Sequence, residues 1–160
     1  IVPSGAGTFP VVGIHGVDQG GGDEGVFVRL MESQNGDLDG DLNGNETFFA
    51  YISFMAPTTV VRYDTGGDHL AVASGRVAIT ANEAFTNSDF DGNQSSADFV
   101  FRVLDFAGNE LEPGKLCSNL SVPVTEDGTL FAFLRDEAVE GRNLNGDGDQ
   151  IDKVLGLWVP

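Results

Sequence analysis

Short apolar stretches alternate along this chain with acidic, glycine-rich segments. The apolar stretches are rich in valine, isoleucine and phenylalanine, which is typical of β-strands. The longest lie at residues 25–32, 48–54, 75–83, 99–104, 128–137 and 154–158. No window of about 11–18 residues has apolar positions at helical spacing. The pattern therefore predicts an all-β protein built from antiparallel strands.

The order strand, glutamate, polar loop, strand occurs three times. Glu83 and Glu137 are 54 residues apart, and Glu32 precedes Glu83 by 51. A period near 50 residues lies within the range of about 40–50 that is typical of β-propeller blades. Shorter candidate strands bring each repeat to about four strands; they lie at residues 11–15, 60–63, 69–73 and 120–122.

We therefore expect a single all-β domain with blade-like repeats at approximately residues 9–64, 65–122 and 123–160. Propellers usually need about four to eight blades to close. Three repeats leave three alternatives open: a segment of a longer propeller, a propeller completed by oligomerisation, and a β-sandwich. The apolar segment 9–14 is expected to be the first strand of its own sheet, with strand addition to a neighbouring molecule as the alternative.

The strongly negative charge of the chain excludes some classes of function. The chain has 25 acidic and 8 basic residues, for a formal net charge of −17. Binding to a nucleic-acid backbone needs a basic stripe, which this sequence lacks. Its apolar runs are shorter than the roughly 18 residues of a membrane span, so membrane insertion is not expected. Ten acids are concentrated in three loops, at residues 37–46 (loop 1), 89–98 (loop 2) and 143–152 (loop 3).

Loop 3 carries the densest set of oxygen-bearing side chains, at alternate positions followed by a closing aspartate: Asn143, Asn145, Asp147, Asp149 and Asp152. Alternate residues of a tightly curled loop can point inward together, and Gly146 and Gly148 permit the positive φ angles of such a curl. The loop resembles the first half of an EF-hand loop, but its acidic closing residue comes too early and strands flank it. The spacing predicts a cation site between strands.

Loop 2 has an oxygen at every equivalent position: Asp89, Asp91, Asn93, Ser95 and Asp98. Loop 1 is equally rich in candidate ligands but shifted, with a register that starts at either Asp37 or Asp41: Asp37, Asp39, Asp41, Asn43 and the closing Glu46. Glu32, Glu83 and Glu137 follow the preceding strands, and each could add one oxygen. Ordinary turns also use Asp, Asn and Gly, which is the simpler alternative for any one loop.

Calcium is the expected cofactor. Ca²⁺ takes six to eight oxygen ligands, whereas Mg²⁺ prefers a strict octahedron with retained water. Zinc is disfavoured because the chain has only two histidines and one cysteine, all far apart in sequence. With one cysteine, Cys117, no internal disulfide can form, and we expect this thiol to be inert.

The arrangement of strand, glutamate, loop 3 and a Val-Leu-rich strand at residues 154–158 resembles secreted bacterial β-propeller-like repeat proteins with Asp/Asn-rich calcium loops. It is also similar to the calcium hairpins of integrin-α-type propeller repeats. The resemblance covers residues 25–160 and is weakest in loop 1. It implies extracellular, calcium-stabilised blades, secreted or at a cell surface, and does not imply a particular catalytic activity.

No constellation of residues in the sequence indicates an active site, and we expect no enzymatic activity. The sequence favours an extracellular calcium-binding structural or interaction module, one that could self-assemble into a filament, sheath or other oligomer. Its expected partners are copies of itself or another protein or glycan surface. The alternative is a non-catalytic propeller segment of a larger secreted enzyme or adhesin.

Overall fold

A computed structural model describes residues 13–18, 24–32, 44, 46–56, 60–64, 69–119, 121–123, 125 and 130–160, the first of these ranges as backbone only. Strands make up 47% of the structure and helices 8%. The prediction of an all-β protein is therefore confirmed. The two helices whose bounds lie within the described residues are single turns of four residues each, which is too short for the apolar periodicity of a helix to appear in the sequence.

Ten strands occur in the described residues: β1 (Gly13–Asp18), β2 (Glu24–Met31), β3 (Thr47–Ser53), β4 (Val60–Asp64), β5 (Leu70–Ala73), β6 (Arg76–Asn82), β7 (Phe99–Asp105), β8 (Lys115–Leu116), β9 (Phe131–Asp136) and β10 (Lys153–Trp158). The two helical turns are α1 (Glu83–Thr86) and α2 (Glu137–Glu140).

The strands form three antiparallel sheets in chain order. Sheet 1 has the order β1-β2-β3-β4, sheet 2 has β5-β6-β7-β8, and sheet 3 is the pair β10-β9. Each strand pairs with its neighbour in sequence, as expected of hairpin connections. Each sheet lies within one of the three predicted segments. The described strands close neither a propeller nor a barrel.

Sheet 2 lies between the other two sheets, because alternation along its strands places apolar side chains on both faces. Val77 and Ile79 of β6 pack toward sheet 1, and Ala78 packs toward sheet 3. The first core joins sheets 1 and 2 through Phe27, Phe49, Tyr51, Tyr63, Val77, Ile79 and Leu104. The second core joins sheets 2 and 3 through Ala78, Phe101, Val103, Cys117, Phe131, Phe133 and Trp158.

Aromatic rings supply much of the area that these two cores bury. In the second core the rings of Phe101 and Phe133 stack with centroids 4.0 Å apart. In the first core Phe27 contacts Tyr51 and Tyr63 at 5.0 and 5.5 Å between centroids. Fully burying such a side chain contributes about 1.5–3 kcal/mol, and favourable ring pairs add to that. These rings are therefore a substantial source of stability for both cores.

The shorter strands were harder to predict than the six long ones. The candidates at residues 60–63 and 69–73 correspond to β4 and β5. The candidate at 120–122 is wrong for residues 121 and 122, which are not in a strand, while residue 120 lies outside the described residues. Instead the last strand of sheet 2 is β8, whose two residues pair with Val100 and Phe101. Two residues are too few to produce a visible alternation.

The predicted first strand at residues 11–15 is only partly described. Residues 9–12 lie outside the described residues, and Gly13 and Ile14 belong to β1, which pairs with β2 of the same sheet. The part of segment 9–14 that the structure describes is thus a strand of the chain's own sheet.

Candidate metal centres

Three hairpins, β2–β3, β6–β7 and β9–β10, are closed by the same backbone hydrogen bond. The glutamate that follows the first strand donates its N–H to the carbonyl of the residue that precedes the second strand. Glu32 donates to Glu46 at 2.8 Å, Glu83 to Asp98 at 3.0 Å and Glu137 to Asp152 at 3.0 Å. All three glutamates are buried. Burying a carboxylate is costly unless hydrogen bonds or a cation compensate for the lost water.

In the second and third hairpins a single helical turn carries the chain away from the strand. The side chains of Asn82 and Asp136 cap α1 and α2 by accepting from the N–H groups of Ala84 and Ala138, each at 3.1 Å. Both turns end in the left-handed conformation, at Asn87 with φ 47° and at Gly141 with φ 65°. This reversal starts the loop on its path back over the glutamate.

Loop 3 then curls so that side-chain oxygens at alternate positions each accept the backbone N–H two residues further on. Asn145 accepts from Asp147 at 3.0 Å, Asp147 from Asp149 at 3.2 Å and Asp149 from Ile151 at 3.1 Å. Gly146 and Gly148 take the positive φ angles of 82° and 109° that the curl requires. The residues predicted as alternate ligands of loop 3 thus bond to the backbone of the loop itself, and the predicted positive φ angles of Gly146 and Gly148 are confirmed.

Glu137 ties the two ends of loop 3 together. Its Oε1 accepts from the N–H groups of Leu144 and Asn145, and its Oε2 accepts from Asp152 N at 3.3 Å. Carboxylate oxygens of Glu137, Asp147, Asp149 and Asp152 all lie within 4.8 Å of one another. These four groups form the first cluster that could hold a metal ion, and all four were predicted from the sequence.

The amide of Asn145 lies among these carboxylates. Its Nδ2 donates to Asp152 Oδ2 at 2.8 Å and to Asp147 Oδ2 at 3.2 Å. The N–H of Asp149 and the contact with Asp152 lower the pKa of Asp147. The hydrogen bond from Asn145 lowers the pKa of Asp152. The contact of Asp152 with Asp147 and the negative charges of Asp147 and Asp149 act in the opposite direction, and the net effect is a raised pKa.

Loop 2 follows the same path with a different distribution of charge. Asp91 accepts from Asn93 N at 3.1 Å, Asn93 from Ser95 N at 2.6 Å and Ser95 from Ala97 N at 3.2 Å. Carboxylate oxygens of Glu83, Asp89 and Asp91 lie within 4.8 Å of one another and form the second cluster that could hold a metal ion.

The side-chain amide of Asn93 links Asp98, the last residue of loop 2, to the second cluster. Asn93 Nδ2 donates to Asp98 Oδ2 at 2.9 Å and to Asp91 Oδ2 at 3.0 Å. This bridge corresponds to the one that Asn145 makes in loop 3. Because the amide nitrogens of Asn93 and Asn145, and not their oxygens, lie against the carboxylates, either amide would have to rotate before its oxygen could share an ion with them.

Glu83, at the base of loop 2, is completely buried. Its Oε1 accepts from Phe90 N, whereas its Oε2 accepts no hydrogen bond from the described residues. Burial, and then the charges of Asp91, Asp89 and Asp98, raise the pKa of Glu83. Burial and Asp89 likewise raise the pKa of Asp91. The cluster thus disfavours its own negative charge, which a bound cation would offset.

Phe90 of loop 2 also contacts sheet 2 and the segment that leads into β8. The guanidinium of Arg102 lies 3.6 Å from the centroid of the Phe90 ring, and Gly114 N donates to Phe90 O at 3.3 Å. A Cβ on Gly114 would come within 2.9 Å of that carbonyl oxygen, so only glycine fits there.

The structure describes little of loop 1. Glu32 and Glu46 are buried at its base. Asp37, Asp39, Asp41 and Asn43 lie outside the described residues, so the predicted cation site in loop 1 stays a prediction.

The helix caps Asn82 and Asp136 were not predicted as part of the site. Each immediately precedes a buried glutamate, and the recurring pairs Asn82-Glu83 and Asp136-Glu137 combine an N-cap residue with an acidic first-turn residue. These pairs could have been used to predict the helix caps from the sequence. The backbone N–H groups that bond to Glu83 and Glu137 could not have been predicted, because every residue except proline has such a group.

A groove of about 460 Å³ beside β8 and β10 brings together three basic residues, Lys115, Arg135 and Arg142. Each is paired: Lys115 with Glu112 at 2.8 Å, and both arginines with Glu140. Asp91, which also lines the groove, supplies a third negative charge, so three carboxylates balance the three basic residues. Nearby Cys117 is buried, and burial raises its pKa to about 12, so the thiol is neutral, as expected of an inert core residue.

The described residues thus form an all-β structure with two acidic clusters that could hold a metal ion. No protein-family model, curated protein or solved structure matches it. Across the described ranges, none of the helices has the length and apolar character needed to cross a lipid bilayer.

Proposed function

We propose that this protein is an extracellular calcium-binding structural module in which loops 2 and 3 each hold one Ca²⁺. The observation that carries the proposal is the convergence of four carboxylates, from Glu137, Asp147, Asp149 and Asp152, to within 4.8 Å of one another. Like charges this close repel, and a divalent cation offsets that repulsion.

The chemistry of the donors favours calcium. Both clusters contain carboxylate oxygens and neither contains histidine or cysteine, which suits a hard cation rather than zinc. Three carboxylates in loop 2 and four in loop 3, each able to bind through one or two oxygens, approach the six to eight oxygen ligands that Ca²⁺ takes. Mg²⁺ would retain more water and use fewer of these groups.

In this proposal the ion stabilises a hairpin. Glu137 follows β9 and Asp152 precedes β10, so an ion that contacts both carboxylates links the two strands of sheet 3 across the loop. Because the unfolded chain does not hold these groups together, binding energy becomes folding energy. An extracellular location suits sites of this kind, since extracellular calcium modules bind with dissociation constants of about 0.1–1 mM.

The alternative role is a non-catalytic propeller segment of a larger secreted enzyme or adhesin. The face-to-face stacking of sheets 1, 2 and 3 in chain order favours it, because propeller blades pack in this manner. Calcium has the same stabilising effect in both roles.

Calcium titration by calorimetry, with thermal unfolding in Ca²⁺, Mg²⁺ and EDTA, tests the proposal. We expect Ca²⁺ to bind and to raise the melting temperature, Mg²⁺ to do so less, and EDTA to reverse the effect. Asp147→Asn should weaken binding at loop 3 about tenfold or more, because it removes a charged ligand without changing side-chain size.

Glu24→Gln is the matched control. It removes one exposed negative charge at the start of β2 in sheet 1, whereas both clusters lie on loops of sheets 2 and 3, and it should leave calcium binding unchanged. The absence of both binding heat and a thermal shift with Ca²⁺ would refute the proposal, and equal effects of the two variants would reduce it to nonspecific charge screening.

A further inference from the structure

The groove between sheets 2 and 3 contains much of the positive charge of a strongly acidic chain. Its lining includes Lys115, Arg135 and Arg142, which are three of the eight basic residues in the whole sequence. Its volume of about 460 Å³ lies within the range of about 300–1,000 Å³ that is typical of small-molecule sites. A concentration of basic groups in one groove of so acidic a chain indicates a site for an anionic group.

The two arginines of the groove share one carboxylate, that of Glu140. Arg135 Nε donates to Glu140 Oε1 at 2.7 Å, and Arg142 Nη2 donates to Glu140 Oε2 at 2.8 Å. The side chain of Glu140 is only 5% exposed, whereas that of Arg142 is 63% exposed. Two guanidinium groups on one carboxylate leave one positive charge in excess, and the exposed group of Arg142 has further N–H donors for a ligand.

Asp91 offsets that excess charge, but it also belongs to the second cluster. Its carboxylate lies within 4.8 Å of those of Glu83 and Asp89, where the proposed calcium ion of loop 2 binds. The present inference rests on that proposed ion. An ion held by Asp91 lies at the edge of the groove, because Asp91 lines both the cluster and the groove. It therefore shifts the charge around the groove by two units in the positive direction.

The second cluster leaves room for a further oxygen on the ion. It has three carboxylates, one fewer than the first cluster, and these supply at most six oxygens, whereas Ca²⁺ takes six to eight. A carboxylate in the groove can give one oxygen to the ion and accept N–H groups of Arg142 with the other. Guanidinium and carboxylate groups form strong, charge-assisted hydrogen bonds of this kind.

We propose that the groove binds a carboxylate-bearing ligand of about monosaccharide size, and that it does so when calcium occupies loop 2. The carboxylate of the ligand lies between the ion and Arg142, and its carbon skeleton packs against the apolar residues of the lining, Leu116, Phe133 and Leu157. A sugar acid and an acidic amino-acid side chain offer the same carboxylate. Loop 2 thus has a ligand-binding role in addition to the stabilising role of its ion.

Calorimetric titration of the calcium-loaded protein with D-glucuronate tests the proposal. D-glucose, which has a hydroxymethyl group in place of the carboxylate, is the control ligand. We expect glucuronate to bind and glucose not to bind, and we expect EDTA to weaken glucuronate binding about tenfold or more. N-acetyl-aspartate α-amide, which has the side chain of an acidic residue, is titrated in parallel. The tighter binder of the two carboxylates identifies the source of the ligand.

Two pairs of variants locate the site. Arg142→Gln should weaken glucuronate binding about tenfold without loss of calcium at loop 2. Its control is Arg62→Gln, which changes an exposed arginine on β4 of sheet 1. Asp89→Asn removes a candidate ligand of the loop 2 ion without changing the lining of the groove, and it should abolish glucuronate binding. Asp147→Asn, which acts on loop 3, should leave glucuronate binding unchanged.

Three results would overturn the proposal: glucuronate that binds the calcium-loaded protein no better than glucose does, equal binding of glucuronate in calcium and in EDTA, or an Arg142→Gln variant that binds it as the wild type does. Titration with calcium alone reports separately on the ion. Calcium binding without glucuronate binding would refute this inference only, whereas the absence of calcium binding would refute the proposed function and this inference together.

Discussion

Loops 2 and 3 have nearly the same path and three aspartates each, but the aspartates lie at different positions. In both, oxygens at alternate positions accept the N–H two residues on, and an asparagine amide bridges two carboxylates. The aspartates of loop 3 lie at its fifth, seventh and tenth positions, whereas those of loop 2 lie at its first, third and tenth. Path and charge are thus separate properties of the loop.

The difference has a physical explanation. Asn, Asp and Ser all provide an oxygen that accepts a backbone N–H, so any of them supports the curl. Only aspartate adds the charge that attracts a cation. In loop 3, the buried carboxylate of Glu137 accepts three backbone N–H groups of the loop. Loop 2 is stabilised in part by a contact with sheet 2, between the ring of Phe90 and the guanidinium of Arg102.

The largest expected effect is a difference between the two buried glutamates. Glu137→Ala leaves three backbone N–H groups without their acceptor, and we expect a loss of about 2–4 kcal/mol in the free energy of unfolding. Glu83→Ala removes one accepted N–H, so its loss should be clearly smaller. Urea denaturation in EDTA measures both without the metal. Equal losses would contradict the idea that the two loops are held differently.

A second prediction adds to loop 2 a carboxylate that loop 3 already has at the equivalent position. Ser95→Asp places a carboxylate at the seventh position of loop 2, where loop 3 has Asp149, and should tighten calcium binding at loop 2 about five- to tenfold. Ser96→Asp adds the same charge one residue later, outside the alternation, and is the control. Calorimetry compares the two. If both variants gain equally, position within the curl does not matter.

A third, smaller effect concerns backbone conformation. Gln94 has φ 68°, and the equivalent residue of loop 3, Gly148, has φ 109°. Gln94→Gly should stabilise the protein by up to about 1 kcal/mol by removing the cost of a side chain in the left-handed region. Gly148→Gln should destabilise it by about 1–3 kcal/mol, since φ 109° suits only glycine. In thermal melts of the metal-free protein, Gln94→Gly should raise the melting temperature and Gly148→Gln should lower it. Shifts in the reverse directions would contradict the prediction.

The smallest expected effect is a pH dependence specific to loop 2. Burial and neighbouring aspartates raise the folded-state pKa of Glu83 above its ordinary 4.5. The protonated form is therefore favoured on folding, and its contribution to stability is full below pH 4.5 and lost as the pH rises through the folded-state pKa. In EDTA, Glu83→Gln should be more stable than the wild type at pH 7, with a difference that shrinks toward pH 4.5. Urea titrations at the two pH values measure it, and a difference independent of pH would show that the charge of Glu83 does not cause it.

The strands and the curl of loops 2 and 3 were predictable because they are local. A strand appears as an alternating or continuous apolar run, and the curl appears as oxygens at every second position with glycines between them. Strand β8 was missed because two residues contain no pattern. The burial of Glu83 and Glu137 was not predicted either, because a glutamate beside a turn is ordinarily solvated.

The sequence by itself determined that this is an acidic all-β chain whose carboxylates are concentrated in loops between strands. Only the tertiary structure decided which of them converge: Glu137 meets Asp152 because β9 and β10 pair, although 15 residues separate them. It also decided that Phe101 is buried while Leu155 is exposed, although both are apolar residues at the same place in a strand. Local patterns set the conformation of a segment, whereas burial depends on which distant segment packs against it.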